Sequence, residues 1–194
     1  MSLEVHVWKI TGVSPMLQNN PAGTMGGGDD GGIKAGTKKV YDDKKEAEIR
    51  TYRTAEGQFY HPSAAFRSAI LVAASGRKIN KKAARTIFAG SVFPVEQECL
   101  ILDAKQKPMK DYTIHKCRCV VGTSGILRCR PQYSGWTMKL ACEIDTELMP
   151  NLENVTEVLN IAGRIVGIGD YRPDTSKGRS GVGTYGRFSA ELVS

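Results

Sequence analysis

The chain has no apolar run near the ~20 residues of a membrane-crossing helix; among its longest is Ala69–Ala74. Its first residues, MSLEVHVWKI, are interrupted by an acid, a histidine and a lysine. They read as a strand, not as a signal peptide. Cysteine is scarce and odd in number: Cys99, Cys117, Cys119, Cys129 and Cys142. With no export signal beside them, reduced thiols in a cytoplasm-like compartment are expected, not a disulfide framework. His115, Cys117 and Cys119 fall on one face of a strand. Structural zinc sites space their cysteines by two to four residues on a turn, so neither metal nor cofactor is expected. Catalytic signatures are missing too. There is no G-x-S-x-G, no H-E-x-x-H and no phosphate loop ending in Gly-Lys-Ser or Gly-Lys-Thr. His6, His61 and His115 stand in unrelated contexts.

What is present is positive charge. The 194 residues, enough for one domain, carry a net charge of +7 and a pI near 9.2. Between Gly31 and Gly90 thirteen basic residues face five acidic ones, a local excess of +8. Such a region attracts phosphate backbones. The exposed cations expected to do so are Lys38, Lys39, Arg50, Arg53, Arg77, Lys78, Lys81 and Lys82. A second basic stretch, GIGDYRPDTSKGRSGVGTYG, interleaves Arg172, Lys177 and Arg179 with Tyr171 and Tyr185. Pliable backbone, cations and flat rings together suit a single strand of nucleic acid, whose bases stack and whose phosphates pair.

The hydrophobic pattern gives an order of elements. Residues from Leu3 to about Val13 alternate as a strand. Asn19 to about Tyr52 reads as an insertion: its glycine-rich first half, NNPAGTMGGGDDGGIKAG, predicts mobility over Gly23–Gly36, and its charged second half fits a hairpin arm or a short helix. Phe66, Ala69, Ile70 and Ala73 recur at helical spacing between Pro62 and Gly76, and a second short helix carries Ala83, Ala84, Ile87 and Phe88. Glu98–Asp103, Tyr112–Val121, Ile126–Arg130 and Gly135–Asp145 read as strands. A helix with Val155, Val158, Leu159 and Ala162 inward follows, its cap assigned to Asn154 with Glu157. Arg187–Val193 is a last strand. Without the insertion this is close to βαββαβ, an α+β antiparallel sheet of the ferredoxin-like or RNA-recognition-like kind, with a glycine-rich loop before the last strand.

Two segments carry a resemblance. Tyr60-His61-Pro62-Ser63-Ala64-Ala65-Phe66-Arg67 resembles the Pro-small-Ser-Ser-apolar-Lys/Arg-Gly helix start of the repeat-associated mysterious proteins, the backbone subunits of CRISPR effector complexes. Pro62, Ser63 and Arg67 match it; Ala64, Ala65 and Ser68 depart from it. Gly178, Gly181, Gly183 and Gly186 match the superfamily's late glycine-rich loop in character, and the look is closest to short phage-encoded relatives. The resemblance implies an RNA-recognition-like palm and a thumb-like insertion at 19–52, within a single domain spanning 1–194. It also implies side-by-side assembly with copies of itself or related subunits, as a filament along single-stranded RNA or DNA. The setting would be a bacterial or phage-infected cytoplasm, and Ser63 and Arg67 would join the binding set. Two alternatives follow from it: an RNA-cleaving nuclease using Asp29 or Asp30, and a phage-encoded decoy that binds a CRISPR-like complex. The non-enzymatic reading is preferred, because two adjacent carboxylates without a fixed scaffold are usually solvated.

Overall fold

A computed structural model describes residues 2–22, 42–121, 124–149, 151–174 and 183–193. In chain order its elements are β1 (Leu3–Gly12), β2 (Met16–Leu17), α1 (Asp43–Glu48), β3 (Tyr60–Pro62), α2 (Ser63–Ala73), β4 (Lys78–Ile79) and β5 (Lys82–Ala83). They continue with α3 (Ala84–Ser91), β6 (Val92–Pro94), β7 (Glu98–Leu100), β8 (Thr113–Val121), β9 (Ser124–Tyr133), β10 (Thr137–Asp145), α4 (Leu152–Ile165) and β11 (Phe188–Leu192). The architecture is α+β with antiparallel sheets. No helix of the described residues is long and apolar enough to cross a membrane.

The largest sheet has the order β11-β1-β10-β6, antiparallel throughout. One face of it is apolar except at the start of β1, where Glu4 and His6 stand. Met138, Leu140, Cys142 and Ile144 alternate inward along β10, as their spacing predicts, and all are buried. Trp8 and Ile10 supply that face from β1, and Phe188 and Ala190 from β11. Phe66, Ala69, Ile70 and Ala73 of α2 and Val155, Val158, Leu159 and Ala162 of α4 share the same core. Trp8 has an indole N–H that a dry core would leave unpaired, and it donates to Thr156 Oγ1 at 2.9 Å. Leu3 and Val5 of β1 point the other way and are exposed.

A second sheet, β2-β9-β8, sits beside the first. β9 is longer than the expected Ile126–Arg130 because it pairs with β8 from Ser124 to Gln132 and with β2 through Gln132 and Tyr133. β7 is shorter than the expected Glu98–Asp103, and it pairs with β3, outside the main sheet. In the charged half of the insertion the short helix forms, not the hairpin arm. Asp42 caps α1 by accepting from Lys44 N and Lys45 N, Ala47 is buried, and Glu48 accepts from Arg53 Nε at 2.6 Å and Tyr112 Oη at 2.8 Å. The glycine-rich half, Gly23–Gly36 with Asp29 and Asp30, lies outside the described residues, as do Lys38, Lys39, Lys177, Arg179, Gly178 and Gly181.

The N-cap of α4 lies three residues earlier than expected. Asn151, not Asn154, is the N-cap, and its side chain accepts from Glu153 N at 2.8 Å.

Candidate functional site

Pro62 is the N-cap of α2 and brings no side-chain acceptor to the helix start. No acidic residue stands in the first turn either. Eleven residues of aligned peptide dipoles therefore end on backbone N–H groups without a capping side chain, an arrangement that favours an anion. A cleft of about 300 Å³ opens there, lined by Asn19, Tyr52, His61, Pro62, Ala65, Gly169, Asp170 and Arg172. A narrower one of about 130 Å³ continues along α2 past Ser68 and Val72, against Val166–Ile168. Ala65 and Arg172 line both.

His61 carries the chemistry of this cleft. It is buried, and among the described residues its Nε2 has no hydrogen-bond partner. The proton can be placed by following Gln18. Gln18 Oε1 accepts from Tyr52 N at 3.1 Å and from Tyr133 Oη at 3.2 Å, and its Nε2 donates to Tyr60 O at 2.6 Å. The amide is thereby oriented, and the group it turns to His61 Nδ1, at 3.4 Å, is the donor. Nδ1 therefore accepts, and the proton of the neutral ring sits on Nε2. Burial, helped by the Arg172 charge, lowers the His61 pKa to about 4, so the ring is neutral near pH 7. A buried N–H without an acceptor costs about 1–3 kcal/mol. At a helix start beside an arginine, it suits an incoming oxyanion.

Neighbouring charges are arranged to permit this. Arg172 donates to Gly169 O at 2.9 Å and to Asp174 at 2.8 Å, while its side chain stays about one-third exposed. Asp170 would repel an anion, but Arg130 holds it at 2.5 Å. The Arg130 guanidinium also lies 4.8 Å from the ring of Tyr171. Tyr171, at φ +51, presents a ring that is 37% exposed, and His115 packs against both it and Tyr185. A flat aromatic surface thus borders the cleft. Arg130 Nη1 lies 3.4 Å from Cys117 Sγ, a positive charge where a metal would have to sit. Among the described residues no three His, Cys, Asp or Glu side chains converge on a metal-binding geometry.

The expected binding residues divide sharply. Arg50 is 2% exposed, with Nη1 on Glu46 O at 2.6 Å and Nη2 3.3 Å from the Glu46 carboxylate. It is a structural arginine, out of reach of a phosphate. Arg53 is engaged by Glu48 and Gly57 O and lies over the Phe59 ring. Arg67 donates to Val92 O and Ala89 O and stacks on Phe93, tying α2 to the end of α3. Ser63 is buried in the first turn of α2. Arg77 donates to Ala73 O at 3.1 Å, finishing α2. Of the described members of the expected set, only Arg172 lines the cleft. Gln18, Tyr52, His61 and Arg130 were not expected there; the Tyr-His-Pro run just before the helix was the available signal.

Lys78, Lys81 and Lys82 are exposed on the β4–β5 hairpin, which leaves from the far end of α2. Its turn residues, Asn80 and Lys81, both have positive φ, +47 and +67. That is the geometry of a two-residue hairpin turn that favours Asn-Gly. Lys81→Gly is expected to raise stability by about 0.4–1 kcal/mol, since glycine fits the turn without strain. If Lys81 meets a phosphate, the same change flattens log K against log salt by about 0.7. Urea denaturation reads the first effect and a salt titration of binding the second.

No family model and no curated protein matches the chain. Among solved structures, the crystal structure of Cmr6 from Pyrococcus furiosus aligns with 98% of this chain and 100% of its own, at 15% identity and a TM-score of 0.42.

Proposed function

We propose that this protein binds single-stranded nucleic acid, without catalysing a reaction, and that a backbone phosphate docks at the start of α2. The observation that carries this reading is the His61 Nε2–H, buried without an acceptor at an uncapped helix N-terminus beside Arg172. Tyr171 gives a base a ring to stack on next to the phosphate. The exposed lysines at the other end of α2 add sequence-independent attraction. In this reading the β11-β1-β10-β6 sheet with α2 and α4 is a ferredoxin-like core, and copies or related subunits assemble along one strand.

The test places a carboxylate in the cradle. Ala65 occupies the third helical position and lines the cleft, so a longer side chain has room. A glutamate there is favourable for the helix by about 0.3–1 kcal/mol. Ala65→Glu is therefore expected to fold as well as the wild type yet to lose at least about tenfold in affinity for a labelled single strand. Ala65→Gln, of the same shape but neutral, retains most of the binding. Fluorescence anisotropy with mixed-sequence RNA and DNA reads both. No binding by the wild type at low salt, or equal binding by the two variants, would sink the reading.

A further inference from the structure

The face of the main sheet opposite the helices is apolar where a solvated face should be polar. β1 carries Trp8 and Ile10 inward and Leu3, Val5 and Val7 outward. Glu4 and His6 precede the inward pair and Lys9 and Thr11 follow the outward three, so the outward apolar stretch is Leu3–Val7. The register extends this across the sheet. Val7 pairs with Ala141, Val95 N bonds to Ala141 O, and Val193 N bonds to Val7 O, so one apolar row crosses all four strands. Val193 is 62% exposed, Val5 57% and Val95 53%. Contiguous exposure of this kind marks an interaction surface.

We propose that the occupant of this face is a second copy of the chain, packed face to face about a two-fold axis that lies along the Val95–Val193 row. The charges on either side of the row support this choice. On one side Lys9 and Lys139 stand directly opposite each other, an unfavourable pairing in a ladder. On the other side Glu143 shares β10 with Lys139, four residues further along. A two-fold along the apolar row turns β10 of the copy end for end over β10. It brings the partner's Glu143 over Lys139 and the partner's Lys139 over Glu143, while the apolar row meets itself. β10 is thus self-complementary, as an isologous dimer requires, while on β1 the partner's Lys9 comes to lie over Val5, beside Glu143. Nucleic acid suits the face less. Glu143 and Glu191 stand on it and would repel phosphates.

Three rows on four strands cover about 400 Å² per copy at ordinary strand spacings. The total of about 800 Å² is below that of a stable interface. The dimer is therefore a weak, reversible one. It stands independently of the nucleic-acid reading, because the cleft at α2 is on the helix side of the sheet.

Sedimentation equilibrium of the full chain, from low micromolar to near-millimolar concentration, tests it. Wild type should follow a closed monomer–dimer equilibrium. Val7→Lys should weaken the dimer at least about tenfold, since it buries an unpaired charge. The sharper measurement is a charge swap. Lys139→Glu and Glu143→Lys each weaken association by setting like charges across the axis, and the double variant restores it. The two side chains are about 13 Å apart along their own strand and cannot pair within one chain. If Val7→Lys fails to fold, the swap still decides. A chain monomeric at every concentration, growth beyond a dimer, or a double variant no better than the singles would overturn the proposal. A monomer whose Phe93→Ala variant loses affinity for labelled oligouridylate would also overturn it and give this face to nucleic acid.

Discussion

Gly186→Ala is expected to remove most of the stability of this fold, more than about 4 kcal/mol of the 5–15 kcal/mol usual for a domain. Gly186 has φ +66, its N–H donates to Pro15 O at 2.8 Å, and its carbonyl accepts from Ile168 N at 2.9 Å. It ties the last strand to the β1–β2 link and to the segment after α4. A Cβ at this position would stand 1.7 Å from Ile168 O, a backbone atom that no rotamer change can move away. Gly57 supplies the control. It has φ +81 but nothing within 4 Å of its would-be Cβ, so Gly57→Ala reports the cost of the left-handed conformation alone, about 1 kcal/mol. Urea unfolding of the two variants separates strain from steric overlap. Equal, mild losses would mean that the 166–174 segment does not approach Gly186 as closely as described. Since that segment carries Gly169, Asp170 and Arg172 of the cleft, the close approach also holds the candidate site in shape.

The glycine-rich stretch shows where a one-dimensional reading fails. Its composition suggests pliable backbone, yet Gly183 and Gly186, at its described end, are glycines because other backbone passes where a Cβ would be. Composition is the same for a loose loop and a crowded one. The strand at Thr137–Asp145 was legible because burial there alternates strictly with the pleat, and α2 was legible because its apolar residues follow the helical period. The cap of α4 was misplaced because Asn151 and Asn154 are both acceptable local chemistry. The start was decided by Asn151 accepting from Glu153 N, with Leu152 half-buried against the core.

The cleft was the least legible part, for a related reason. Its members are joined across long sequence separations: Gln18 to His61, Arg130 to Asp170, and Tyr133 to Gln18. Neither period nor spacing encodes such partners. Charge counting weighs every arginine alike, although Arg50 and Arg67 are fixed inside the fold and Lys78, Lys81 and Lys82 stand in solvent. The excess of positive charge was real. Which cations remain available to a partner is decided by tertiary structure.

The orphaned histidine makes stability depend on pH in a defined window. Burial holds the His61 pKa at about 4 in the folded protein, against the ordinary 6.5 of an unfolded chain. Above pH 6.5 both states hold the ring neutral and it contributes no pH dependence. As pH falls from 6.5 towards 4, the unfolded chain takes up a proton that the folded chain refuses, so stability falls by about 1.36 kcal/mol per unit, roughly 3 kcal/mol in all. His115, also lowered by burial, adds a loss of the same sign. Asp43 and Glu48, held below the usual carboxylate range by Lys116 and Arg53, contribute losses at still lower pH. Urea unfolding at about pH 7.5 and pH 5 therefore isolates the histidines. His61→Gln, which keeps a polar amide in the site but cannot titrate, should flatten the dependence and leave only the His115 share. A bound phosphate should raise the histidine's pKa, because an oxyanion at Nε2–H stabilises the imidazolium, against the opposition of the Gln18 N–H that faces Nδ1. Affinity for a single strand should then increase as pH falls from about 7.5 to about 5.5, and should do so less in His61→Gln. Identical slopes for wild type and His61→Gln in both measurements would mean that this ring is neither buried neutral nor part of an anion site.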